Sequence, residues 1–163
     1  MTYDQDIGEG LYRRSLYTYW RRTVAPPFMM IFDSPNREVC TVYENRTNTP
    51  LQALDLMNDV EFLEASRKLA ERMIASDRVD PQERIVDGFR LLLARAPKPV
   101  EEQILTKALA DFETVYKNDP AAAQKFLLQG ESPIRPGVDK RELAAYTAVA
   151  NLMFNMDAAV NKE

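Results

Sequence analysis

Thr49-Pro50-Leu51-Gln52 has the form of a capping box, which is typical of the start of an α-helix. A Thr hydroxyl accepts a hydrogen bond from a main-chain N–H that has no partner within the helix, and proline is favoured at the first helical position. Gln is long enough to bond back to the main chain of Thr49. The stretch therefore predicts a helix that begins at Pro50.

Related helix starts recur farther along the chain. Asp80-Pro81-Gln82-Glu83 and Asp139-Lys140-Arg141-Glu142 have the same form, and Asp119-Pro120 supplies the cap and the proline without the returning side chain. Lys98-Pro99-Val100-Glu101 has the proline and the Glu but a poor cap. These stretches predict further helices that begin near residues 81, 99, 120 and 140.

Apolar residues follow these starts at helical spacing. The clearest stripe lies behind Pro99, and two more run through residues 62–74 and 85–93. The connections between them are short, which favours antiparallel neighbours, and no alternation long enough for a strand is present. We therefore predict an all-α fold, a single bundle-like domain of about six or seven helices that covers residues 1–163.

The N-terminal segment is also interpreted as a helix, from Leu11 to Val24, which Pro26 and Pro27 end. It holds four arginines and no acidic residue, in a chain whose net charge is -4, together with three tyrosines and the only tryptophan. Tyr, Trp and Arg dominate the binding energy of protein interfaces. The segment is a candidate docking surface with Tyr17, Trp20 and Arg21 as interface residues. The alternative is that Trp20 anchors the helix to the core of its own domain.

A long irregular connection is expected near residues 26–48, since Asp33-Ser34-Pro35-Asn36 is typical of a turn and the helical period is lost. Such loops are often functional. The candidate ligand-binding residues are polar side chains of this connection: Asp33, Arg37, Glu38, Arg46 and Asn48. The alternative is structural: Thr49 caps the helix, Asn48 bonds the main chain of a turn, and Arg46 pairs with Asp33 or Glu38.

The composition limits the chemistry that this chain can perform. Histidine is absent and Cys40 is the single cysteine, so the commonest general base, the commonest transition-metal ligand and a thiolate cluster are missing. No carboxylates have the spacing of a dedicated calcium loop. We expect no catalytic residues, no metal and no cofactor in this chain. The negative net charge argues against binding of nucleic acid, whose phosphates are also negative. No apolar run of the sequence is long enough to span a membrane.

Several motifs resemble a known family. Phe32 to Cys40 and the stretch from Arg46 to Leu54 look like the planctomycete cytochrome-c-associated domain of unknown function, and the second motif is the more specific. Supporting matches lie at residues 8–17, 143–146 and 155–157. The sequence departs from the family at Tyr43 and Glu44, where a basic pair is usual, and at Val60, which is often proline.

This resemblance implies a C-terminal module of a larger exported or periplasmic bacterial protein, with any haem in another domain of that parent. This chain begins without the basic and apolar pattern of a signal peptide. The function expected is a non-catalytic interaction or scaffold module whose partners are other domains of the parent or a second copy. The alternative is a carbohydrate-binding or hydrolytic domain with a polar pocket around residues 28–49.

Overall fold

A computed structural model describes residues 6–21, 24–35, 38, 40, 42 and 47–161. The prediction of an all-α fold is confirmed in this part of the chain, where eight α-helices are present and residues 21 and 24 form an isolated bridge. The α-helices are α1 Pro27–Ile31, α2 Pro50–Asn58, α3 Val60–Ile74, α4 Pro81–Leu93, α5 Pro99–Asn118, α6 Pro120–Leu127, α7 Lys140–Phe154 and α8 Asp157–Val160. The chain forms two compact units, unit 1 at residues 1–55 and unit 2 at residues 56–163.

The helix starts predicted from caps are confirmed. Thr49 Oγ1 accepts a hydrogen bond from the main chain of Gln52 at 3.2 Å, and Gln52 Oε1 accepts one from the main chain of Thr49 at 2.8 Å. Asp80, Asp119 and Asp139 each accept a bond from a main-chain N–H in the first turn of α4, α6 and α7. These bonds lie within four residues, which is why the sequence reveals them.

A cap that the sequence analysis missed separates α2 from α3. Asp59 Oδ1 accepts hydrogen bonds from the main chain of Glu61 at 2.8 Å and of Phe62 at 3.4 Å. Asp is a favoured cap, but Asp59 is followed by Val60 and not by the proline that marks several other helix starts of this chain.

The predicted helix from Leu11 to Val24 is wrong for the described residues. The chain forms short 3₁₀ helices at Gly8–Tyr12 and Ser15–Tyr17, and the residues that follow each have extended backbone. Aromatic and β-branched side chains crowd residues 17–20 and lose rotamer freedom in an α-helix. Only Leu11 of residues 6–21 is buried, so packing does not offset that loss.

The 26–48 connection contains the short helix α1, which was not predicted.

Unit 2 is organised around α7. This helix packs against α3, α5 and α6, and residues 143–151 are buried without interruption. Small side chains such as Ala145 and Ala150 let the neighbouring helices approach closely on several sides, so the helix has no solvent-exposed face there. The core that results is formed by Leu69, Ala70, Met73, Ile85, Phe89, Leu105, Leu109, Ala123, Leu127, Leu143, Ala144, Ala145, Tyr146, Val149, Ala150 and Met153.

Candidate functional site

The 26–48 connection of unit 1 is tied to the start of α2 by a polar network. Gln52 is buried, and its Nε2 donates hydrogen bonds to the main-chain oxygen of Ile31 at 2.8 Å and to Thr47 Oγ1 at 3.0 Å. Thr47 donates to Asp33 Oδ2 through its hydroxyl and, at 3.1 Å, through its main-chain N–H. Gln52 therefore caps its own helix and holds the end of α1 at the same time.

Asp33 has a structural part in this network. Its φ of 56° lies in the left-handed region, which Asp tolerates better than most residues because its side chain bonds nearby groups. Thr47 supplies its described hydrogen bonds, and the predicted pairing with Arg46 lies outside the described residues. The carboxylate thus orders the loop by contacts within the chain.

The other predicted ligand-binding residues are only partly accounted for. Glu38 and Asn48 are exposed. Arg37 and Arg46 lie outside the described residues. Of the five candidates, the described structure places Asp33 in the network around Gln52, and the ligand-binding role of the set stays a prediction.

The segment from Leu11 to Arg21 presents aromatic side chains to solvent. Tyr12, Leu16, Tyr17 and Tyr19 are 54, 71, 65 and 78% exposed, whereas Trp20 and Arg21 are half-buried. Arg13 and Arg14 between them are exposed as well. Although the described residues of this segment form no α-helix, the predicted combination of aromatic and basic side chains is present on an irregular backbone.

A polar stripe on α3, formed by Glu64, Arg67, Lys68 and Glu71, was missed by sequence reasoning. Glu64, Arg67 and Glu71 are 4, 2 and 7% exposed, which is rare for charged residues. Their spacing places them along one face of the helix. This spacing is visible in the sequence, but it did not indicate burial, because charged residues along one face of a helix usually face solvent.

The α3 polar stripe holds the loop at residues 130–138, which we term the strap. Glu64 Oε2 accepts hydrogen bonds from the main chain of Glu131 at 2.7 Å and of Ser132 at 3.2 Å. Glu71 Oε1 accepts one from the main chain of Arg135 at 3.1 Å.

The two cations of the stripe bind carbonyl oxygens of the same strap. Arg67 Nη2 donates to Ser132 at 2.7 Å, and Lys68 Nζ donates to Pro133 at 2.8 Å. Arg67 Nη1 lies 3.7 Å from Glu71 Oε1, and Lys68 Nζ lies 3.0 Å from Glu71 Oε2. The buried charges therefore compensate one another while they fix the path of the strap.

Charged side chains of unit 2 also line an open groove beside the N-terminus of α4. Arg78 lies 3.5 Å from Glu83 and 3.4 Å from Asp87, and Gln82 donates to Glu102 at 2.6 Å. These exposed groups pair with one another. Within the described ranges, no three His, Cys, Asp or Glu side chains are grouped so that they could hold a metal ion, and no helix is long and apolar enough to cross a membrane.

Comparison with known proteins gives one family. The model of PSD1, a protein of unknown function (DUF1553), matches residues 1–109, a range that ends within α5. No curated protein and no solved structure matches the chain significantly.

Proposed function

We propose that this chain, which belongs to the PSD1 family of proteins of unknown function (DUF1553), is a non-catalytic interaction module that docks a protein partner through residues 11–21. The observation that carries the proposal is the exposure of three tyrosines and a leucine on one short segment. Large apolar and aromatic side chains grouped on a surface are typical of binding sites.

The packing of unit 1 supports this proposal. Among its described residues, Leu11 and Met29 are the buried large apolar side chains. Tyr12, Tyr17 and Tyr19 are each more than half exposed. A partner that buries them would gain about 25 cal/mol for each Å² of apolar surface removed from water.

The charge of the segment indicates the chemistry of the partner. Arg13 and Arg14 are exposed, Arg21 is half-buried, and no acidic residue lies between Leu11 and Arg21. An acidic surface with apolar pockets is complementary to this combination. Since charges at the rim of an interface mainly accelerate association, we expect binding to weaken as salt is added.

The resemblance to the cytochrome-c-associated domain suggests where the partner is found. A cytochrome-c-associated module of an exported protein would dock another domain of its parent, and a haem would be bound there and not by this chain. The alternative partner is a second copy of this chain, bound through the same surface. Both the exported location and the link to cytochrome c are part of this proposal.

The test compares variants of the segment with variants of the same kind at exposed positions of unit 2. Tyr17→Ala and Arg21→Ala are made singly in the whole chain. Leu128→Ala, at a side chain that is 63% exposed, and Arg72→Ala, at an exposed arginine of α3, serve as controls. Binding to the remainder of the parent protein is measured by titration calorimetry, and self-association by sedimentation.

We expect the two segment variants to keep the wild-type melting temperature and to bind at least about tenfold more weakly, as hot-spot residues do. The controls should bind like the wild type. If Tyr17→Ala and Arg21→Ala leave both kinds of association unchanged, the segment is not the docking surface.

A further inference from the structure

The α3 polar stripe forms its described hydrogen bonds with the main chain of the strap. Glu64 and Glu71 accept hydrogen bonds from main-chain N–H groups of residues 131–135. Arg67 and Lys68 donate hydrogen bonds to main-chain oxygens of the same residues. Every peptide carries these groups. The α3 polar stripe can therefore bind another extended segment that follows the same path.

Arg67 shows that the strap does not use all of the binding capacity of the stripe. The side chain is 2% exposed, yet its Nε and Nη1 atoms donate no hydrogen bond within the described part of the chain. Buried donors without acceptors are costly, at about 1–3 kcal/mol each. A segment that offered further acceptors to this guanidinium would fit the stripe better than the strap does.

The apolar contacts of the strap are limited. Ile134 and Val138 pack against the core of unit 2 but are only partly buried, while Pro133, Arg135 and Pro136 are exposed. By contrast, Val149 and Ala150 of α7 are fully buried. Release of the strap would therefore cost much less apolar burial than unfolding of the helices.

We propose that the α3 polar stripe is a peptide-binding site that recognises main-chain groups, and that the strap occupies it as an autoinhibitory segment of the same chain. The ligand is an extended peptide that replaces the strap and supplies acceptors to Arg67. This site lies in unit 2 and is independent of the docking segment at residues 11–21.

The first test uses the unmodified chain. Hydrogen exchange is measured at the amides of Glu131, Ser132 and Arg135 and at those of Val149 and Ala150. Because the strap opens while the helices stay folded, its amides should exchange much faster than those of α7. Equal rates for the two groups would show that the strap opens only on global unfolding, and would overturn the proposal.

The second test measures binding to a released site. Ile134→Ser weakens the apolar hold of the strap, and Ile104→Ser, at an exposed position of α5, is the matched control. The probe is a fluorescent synthetic peptide with the sequence of residues 130–138. A strap that is closed nine-tenths of the time lowers the apparent affinity about tenfold, so Ile134→Ser should bind the peptide about tenfold more tightly than Ile104→Ser.

Specificity is tested with two further reagents. A peptide that is N-methylated at the positions of Glu131 and Ser132 should not bind, since Glu64 would lose both donors. Glu64→Gln added to Ile134→Ser should weaken binding of the unmodified peptide.

A second release variant is Gly130→Ala. Gly130 has a φ of 87°, and an added Cβ would collide with the Glu64 carboxylate. If strap amides exchange rapidly in either variant but the peptide binds no better than to Ile104→Ser, the stripe is not a peptide site. If neither variant folds, equal exchange rates for the strap and α7 in the unmodified chain would still overturn the proposal.

Discussion

Both carboxylate oxygens of Glu101 accept a hydrogen bond from the guanidinium of Arg95, each at 2.8 Å. Glu101 Oε2 also accepts one from the main chain of Lys98 at 2.6 Å, and Arg95 stands over the ring of Phe89 at 4.9 Å. Such bidentate pairs are among the stronger ion pairs. The pair links the connection between α4 and α5 to the first turn of α5.

This pair predicts a pH dependence of stability. Hydrogen bonding from Arg95, and secondarily from the Lys98 main chain, lowers the pKa of Glu101 from 4.5 to about 2. The folded state therefore binds the proton more weakly than the unfolded chain, so the contribution to stability is present above pH 4.5 and is lost as the pH falls towards 2. We expect Glu101→Gln to lose less stability than the wild type between these pH values, as measured by urea midpoints.

Asp111→Asn, at an exposed position of the same helix, is the control for this experiment. Its stability should fall with pH as steeply as that of the wild type. Parallel curves for Glu101→Gln and the wild type would contradict the assignment of this dependence to Glu101.

Gly88 is expected to be required by the packing of α4 on α3. A Cβ at this position would lie 2.6 Å from Met73 Sδ and 2.8 Å from Met73 Cγ, and Met73 is 1% exposed. Overpacking costs about 1–3 kcal/mol, which exceeds the gain in helix propensity of about 1 kcal/mol. Gly88→Ala should therefore lower the free energy of unfolding, measured in urea. Met73→Ala in the same chain should remove the collision, so the two changes should be less than additive.

Thr49 is expected to stabilise the start of α2. Thr49→Ala removes the acceptor of the Gln52 main-chain N–H and should destabilise the protein by about 1 kcal/mol. Thr49→Ser keeps the acceptor and should be close to the wild type. Equal urea midpoints for Thr49→Ala and Thr49→Ser would exclude the capping role.

The purified chain is expected to hold no stoichiometric haem or transition metal. The reason is chemical: there is no histidine, and the single cysteine cannot form a thiolate site. The measurement is elemental analysis of dialysed protein with an absorption spectrum. One zinc, copper or iron per chain would contradict the expectation.

The interaction of Asp33 was predicted only in part. The sequence indicated that polar groups hold the 26–48 connection, and the structure shows that they do so through Thr47 and Gln52. Which donor reaches Asp33 depends on how α1 and α2 are placed in unit 1. That placement is set by packing and not by spacing along the chain.

The N-terminal segment shows the limit of periodicity. Leu16, Tyr19, Trp20 and Thr23 have helical spacing, but spacing alone cannot supply the core against which a helix packs. Tyr17 is exposed, whereas Trp20 and Arg21 are half-buried, and the docking role of the segment stays a prediction.

Local sequence sets where the main helices begin, since Thr49, Asp80, Asp119 and Asp139 each accept a hydrogen bond from a main-chain N–H within the next three residues. It also determined the all-α class, since turns and caps act locally. The environment of Glu64 depends on tertiary packing, because its partner Glu131 lies 67 residues away along the chain. In an isolated helix that carboxylate would face water. In the folded chain it is buried because the strap supplies the N–H groups that replace its hydration.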